Sequence, residues 1–164
     1  MSEQQVAMEQ AGPAISPYLA DGNDGDGRGR TTIWLVPTRL VPAVWDDVAP
    51  ILKPAVELAA GRHSLETTFD QLRSGHMQLF VAVQDDAAKA AAVTQVLEYP
   101  NANWLVVLFC AGKGLPEWGR DGIEAIEDWA RRCGCSGVEI VGRAGWAMAL
   151  GYEKSASIIQ KVLS

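Results

Sequence analysis

Eight consecutive residues, Trp104-Leu105-Val106-Val107-Leu108-Phe109-Cys110-Ala111, carry no charge. The run is less than half of the ~20 residues that a membrane-crossing helix needs. It is also too continuous for a strand with one wet face, which alternates apolar and polar side chains. A chain containing it must flank the strand with other strands and cover both faces, and helices packed on a sheet do this. The run is therefore expected at the middle of a sheet in a mixed α/β domain.

The neighbouring sequence supplies the rest of such a sheet. Thr31 to Val36 is β-branched and aromatic and closes at Pro37, so it reads as the first strand. Val41 to Ala60 has apolar residues at helical spacing, with Pro50 and Pro54 expected to kink or split the helix. Ser64 offers an N-cap and Gly75 a stop for a second helix with Leu65, Thr68, Phe69 and Leu72 on one side. Met77 to Gln84, Ala90 to Tyr99 and Asn103 to Cys110 read as three strands joined by Asp85-Asp86 and Pro100-Asn101-Ala102, an antiparallel meander. A long helix follows, with Leu115, Trp118, Gly122, Ile126, Trp129 or Ala130, and Cys133 toward the core. Pro116 and Glu117 suit its start, Arg131 and Arg132 its last turn, and Gly134 its stop. Val138 to Val141 then reads as a buried strand, Ala144 to Leu150 as a short helix and Ser157 to Leu163 as a last strand.

At 164 residues and 48% hydrophobic, the chain can bury one core. A net charge of −6 and a pI near 4.9 leave no electrostatic footprint for nucleic acid, so neither nucleic acid nor a membrane is an expected partner. The start, Met1-Ser2-Glu3-Gln4-Gln5, lacks the basic and apolar regions of a secretory signal, which points to a cytoplasm. Residues 1–30 contain Pro13, Pro17 and the stretch from Asp21 to Arg30, rich in Gly and Asp. They are expected to form a flexible arm before a domain spanning 31–164. The arm's carboxylates miss calcium-loop spacing, because Gly25 stands where the third acidic ligand belongs. Pro13, Pro17, Tyr18, Arg28 and Arg30 are its candidate partner-binding residues. Cys133-Gly134-Cys135 is one residue short of the CxxC spacing, and His63 and His76 have no ligand cluster beside them, so no metal site is expected. The three cysteines read as packed thiols and the histidines as surface or loop residues.

The order strand, two helices, three strands, helix, strand, short helix, strand resembles the GNAT N-acetyltransferase topology. Several stretches sharpen this: Val96-Leu97-Glu98-Tyr99-Pro100, Ala111-Gly112-Lys113-Gly114-Leu115-Pro116-Glu117-Trp118, Ile126-Glu127-Asp128-Trp129-Ala130, and Gly142-Arg143-Ala144-Gly145-Trp146 followed by Gly151-Tyr152. Together they resemble a GNAT-like family of tailed bacteriophages. The resemblance implies a mostly antiparallel sheet flanked by helices, and an acetyl-CoA cleft between the apolar strand and the strand after the long helix. It also places the diphosphate at that helix's N-terminus.

Gly112, Lys113 and Gly114 are the candidate cofactor-binding residues, since backbone N–H groups and a cation suit a diphosphate. Pro116 removes one donor, however, and Glu117 adds negative charge there. Glu98 and Glu139 are the candidate catalytic bases. Where the family often has a proton-donating Tyr in the short helix, this chain has Ala147, and Tyr152 matches the structural aromatic that starts the family's last strand. Arg143 and Trp146 read as a helix-entry ion pair and a core residue, with a substrate or partner contact as the alternative. Taken with the arm and the phage resemblance, these departures favour a virion-associated structural or interaction protein of head, neck or tail, with a degenerate site, no cofactor, and virion proteins or copies of itself as partners. Such a protein would occupy the host cytoplasm and then the virion. The alternative is an active acetyl-CoA-dependent N-acetyltransferase acting on a protein or small-molecule amine.

Overall fold

Three successive apolar segments produce the centre of the molecule. In the computed structural model, which describes residues 31–142, 145–156 and 159–163, they form β2 (Gln78–Gln84), β3 (Ala87–Glu98) and β4 (Asn103–Gly112). With β1 (Thr32–Val36) and β5 (Gly137–Ile140) they make a five-stranded sheet in the order β1-β2-β3-β4-β5. Every pairing is antiparallel except β4 with β5. The turn between β2 and β3 is Asp85-Asp86, both at positive φ (52° and 58°), a conformation that Asp tolerates and that a tight hairpin needs.

A parallel pair requires a crossover, and α3 (Leu115–Arg132) provides it. Pro116 sits in its first turn, where a missing N–H costs little. Arg131 closes the last turn on Asp128 (2.6 Å) and Glu127 (3.4 Å), and Gly134 leaves the helix at φ 70°. Trp118, Gly122, Ala125, Ile126, Trp129 and Ala130 are buried, and most of them pack with Ile33, Phe80 and Leu105 on one face of the sheet. The other face carries α1 (Val41–Glu57) and α2 (Leu65–Arg73) on Leu79, Val81, Val93 and Phe109. Ser64 caps α2 through a reciprocal capping box with Thr67, as its position suggested. The short α4 (Gly145–Leu150) follows β5.

Four expectations are corrected. The apolar run is interior but not central: β4 lies next to the edge strand β5, and β3 is the middle strand. α1 is one continuous helix despite Pro50 and Pro54, and it ends at Glu57. Its buried stripe of Val41, Val48, Leu52 and Val56 is unbroken, while both prolines are four apart on the exposed side, where the carbonyls they leave unpaired can meet water. The last strand does not form over residues 159–163, where Ile159 (95%), Val162 (82%) and Leu163 (82%) are exposed. Adjacent Val162 and Leu163 would point to opposite faces of a strand, so pairing could not bury both on one layer. Finally, Tyr152 starts no strand. Its hydroxyl donates to Glu127 Oε1 of α3 (2.9 Å), and burial, aided by that carboxylate, raises its pKa.

Candidate functional site

Two irregularities in the sheet create the site. Val93 pairs with Phe109 but the next residue, Thr94, pairs with Val107, so Leu108 is an extra residue on β4. The bulge is visible in the side chains. Val107 and Cys110 face α3, while the successive residues Leu108 and Phe109 both face α1 and α2. β5 follows β4 only from Trp104 to Val107, with one more bond from the Val141 N–H to the Val107 carbonyl (3.1 Å). Beyond that point β4 runs on beside β3 to Gly112 with no described strand on its other edge.

The result is a cleft of about 1160 Å³. Its floor is β4 from Val107 to Gly112. One wall is the outer side of α1 with Arg62 and His63 from the following link, and the other is Ile140 to Gly142 with Trp146 of α4. Alternate backbone amides on the open edge of a strand are unsatisfied, and an extended ligand bearing amides can pair with them.

The second irregularity lies at the cleft's end. Val83 pairs with Ala88 and Ala82 with Ala90, which leaves Lys89 as a bulged residue of β3. Its carbonyl accepts the Lys113 N–H (3.1 Å), so both exposed lysines stand together on the rim. Gly112 is required here for packing: at φ 142°, a Cβ would lie 2.4 Å from the Cα and Cβ of Ala90. Gly114 caps α3 at φ 78°, and its carbonyl accepts the N–H groups of Glu117 (2.9 Å) and Trp118 (3.3 Å). The Trp118 indole donates to the Lys113 carbonyl (2.8 Å) and clamps the loop onto the helix. With those N–H groups engaged and Pro116 having none, at most Gly112, Gly114 and Leu115 remain as donors at the helix start.

The structure brings Gly112 and Lys113 into the cleft and places Gly114 beside it. It does not bring the two glutamates there. Glu98 is exposed at the end of β3 opposite Asn103, and Glu139 is exposed on β5 beside Val106; neither lines the cleft. Pro13, Pro17, Tyr18, Arg28 and Arg30, and also Arg143, lie outside the described residues. Trp146 is half-buried, packing on the α3 core while lining the cleft. Sequence reasoning missed Arg62, His63 and Lys89. The local signal for Lys89 is a single charge inside a run of alanines, Ala87-Ala88-Lys89-Ala90-Ala91, which becomes a bulge only once its partner's register is known. Cys110 lines the cleft as well, and burial pushes its thiol up to about 12, so it stays neutral near neutrality. Among the described residues no group of three or more His, Cys, Asp and Glu side chains could hold a metal ion, and no helix is long and apolar enough to cross a membrane.

No family model and no curated protein matches the chain. Solved structures do. An aminoglycoside acetyltransferase from an uncultured soil metagenomic sample, in complex with trehalose, is 13% identical with a TM-score of 0.62, over 82% of this chain and 97% of that one. An aminoglycoside N-acetyltransferase in complex with CoA is 16% identical with a TM-score of 0.61, over 86% and 99%. A GNAT family acetyltransferase of Staphylococcus aureus is 10% identical with a TM-score of 0.57, over 82% and 99%. The protein therefore has the GNAT acetyltransferase fold, with a mostly antiparallel sheet between helical layers.

Proposed function

We propose that the protein binds an acyl-CoA in the cleft beside β4 and transfers the acyl group to an amine. The observation that carries this is the parting of β4 from β5 after Val107, which opens a strand edge along a cleft of about 1160 Å³ with Lys89 and Lys113 at its end. The pantetheine amides would pair with the open edge, and the phosphates would sit on the two ammonium groups and the N–H groups of Gly112 and Gly114. Glu117 and Pro116 weaken the helix start as an anion site, so the lysines take the larger share. A CoA-bound neighbour of the same fold supports the choice of ligand.

The test is thermal unfolding with and without acetyl-CoA. A ligand at ~100 times its Kd stabilises the folded state by roughly 2.7 kcal/mol, a shift of several degrees. No shift at millimolar acetyl-CoA overturns the proposal.

A second reading is a virion-associated interaction protein of a tailed phage, with other virion proteins or copies of itself as partners and no use of the cofactor. It rests on the resemblance in sequence, on Pro116 and Glu117 at the helix start, and on the exposed apolar side chains of Ile159, Val162 and Leu163. Mass spectrometry of purified particles tests it, and absence from them sinks it.

A further inference from the structure

Acyl transfer needs a group that takes a proton from the attacking amine, and the two glutamates nominated by sequence are outside the cleft. The ionisable side chains that do line it are Arg62 and His63 from the α1–α2 link, Lys89 from β3, Cys110 from β4 and Lys113 from the loop before α3. Arginine and lysine side chains are protonated near neutrality and cannot serve as the base. Burial holds the Cys110 thiol in its neutral, weakly basic form.

His63 is placed with some care by the chain. The link after α1 turns through Ala60 (φ 52°) and Gly61 (φ 79°), an uncommon conformation for alanine. The Ala59 N–H donates to the Val56 carbonyl (3.0 Å) and the Arg62 N–H to the Ala59 carbonyl (3.1 Å), which fix the turn. The half-buried imidazole then stands edge-on to the Phe109 ring, 5.2 Å between centroids at 82°. Phe109 is the residue after the Leu108 bulge, so the imidazole lies over the part of β4 where pairing is broken and a ligand's reacting end can meet the backbone. Strained turns that persist under a cleft are a recurring mark of positioned functional groups.

We propose that His63 accepts the proton of the acceptor amine, on the face of β4 covered by α1. This rests on the acyl-CoA assignment above. The imidazole takes a proton from the substrate ammonium, and the freed nitrogen lone pair attacks the thioester carbonyl, forming the C–N bond. The C–S bond then breaks with its electron pair going to sulfur. The second proton lost by the new amide nitrogen reaches the CoA thiolate through solvent, and the imidazolium returns its proton to solvent. A protonated amine and an acyl-CoA thus balance to amide, free CoA and one released proton.

The test combines acetyl-CoA binding with turnover, using 2-phenylethylamine as the probe acceptor and CoA thiol release as the readout. In His63→Ala and in the shape-conserving His63→Gln, the acetyl-CoA thermal shift should match that of the unsubstituted protein, which also verifies folding. Turnover should fall by about 100-fold or more. Added imidazole should restore part of the rate to His63→Ala. The inference is overturned by turnover within about threefold in both variants, or by a protein that binds acetyl-CoA yet releases no thiol from pH 6 to 9. Absence of any acetyl-CoA shift overturns the acyl-CoA assignment itself, a distinct failure.

Discussion

Replacing Gly112 by alanine distinguishes a glycine needed for strand packing from one needed for a phosphate. The new Cβ would lie 2.4 Å from both Cα and Cβ of Ala90 and 2.6 Å from the Lys89 carbonyl oxygen, and none of these atoms can swing aside. The backbone angle of 142° adds a conformational penalty of about 1–3 kcal/mol for an L-residue. Overpacking contributes about 1–3 kcal/mol more. The expected loss is thus roughly 2–6 kcal/mol, a large part of a typical domain's stability. At Gly114 (φ 78°) the nearest atom to a Cβ is the movable Glu117 Oε2 at 2.9 Å, so alanine there should cost only about 1–2 kcal/mol. Urea unfolding followed by tryptophan fluorescence measures both, with unchanged m values as the check on two-state behaviour. Adding Ala90→Gly to Gly112→Ala should recover only part of the loss, since the new methyl would still collide with the backbone at position 90. A Gly112→Ala protein within about 1 kcal/mol of the original that has nevertheless lost acetyl-CoA binding would refute this reasoning.

Other consequences are open to simple measurement. Lys89→Ala and Lys113→Ala should each weaken acetyl-CoA binding about 5- to 10-fold in titration calorimetry, less so at high salt, and unchanged affinity in both would remove the lysine rim from the site. Thr94 Oγ1 donates to Gln78 Oε1 (3.0 Å) between two buried side chains, so Thr94→Val should cost about 1–3 kcal/mol by calorimetry; an unchanged Tm would show the pair to be dispensable. The Cys110 thiol is raised from 9.0 to about 12 by burial. The fold thus favours the protonated form, and its contribution is complete below pH 9 and decays as pH rises toward 12. Cys110→Ala should flatten the alkaline loss of stability in urea titrations from pH 8 to 11, and an identical pH slope would refute the burial argument. No Asp or Glu lines the described cleft, while Arg62, Lys89 and Lys113 do, so polycationic aminoglycosides should be poorer acceptors than amines on neutral molecules; the reverse order of kcat/KM would contradict that.

Local periodicity carried the fold well where each element meets its surroundings through one pattern. The Ser64 cap, the apolar face of α3 and the β2-β3-β4 meander follow from residues close in sequence. Pro50 and Pro54 mislead because the cost of a helix-interior proline depends on which side of the helix meets water. The stretch ending at Leu163 misleads because apolar content suggests a strand whether or not the segment pairs with an edge of the sheet, and residues 159–163 pair with none. The site is less legible than the fold for a physical reason. Gly112 and Lys113 announce themselves as a loop at a helix start, whereas His63 and Lys89 acquire meaning only from a turn at positive φ and from a register shift, both of which depend on distant partners. Glu98 and Glu139 stand out in the sequence for their chemistry, and the strands that carry them turn them away from the cleft.

The extra residue at Leu108 also bears on how such a chain can change over time. Everything after it on β4 is written in the opposite phase, with Phe109 fitted to one layer and Cys110 to the other. Deleting Leu108 would restore regular alternation from Val107 through Phe109 to Cys110 with each side chain still in its own layer, at the cost only of the contacts that Leu108 makes on the α1 side. Straightening β4 by a single deletion thus leaves both layers packed by the same side chains. The packing on either side of the sheet consequently does not by itself hold the bulge in place, and a chain of this kind is one deletion away from a straight β4.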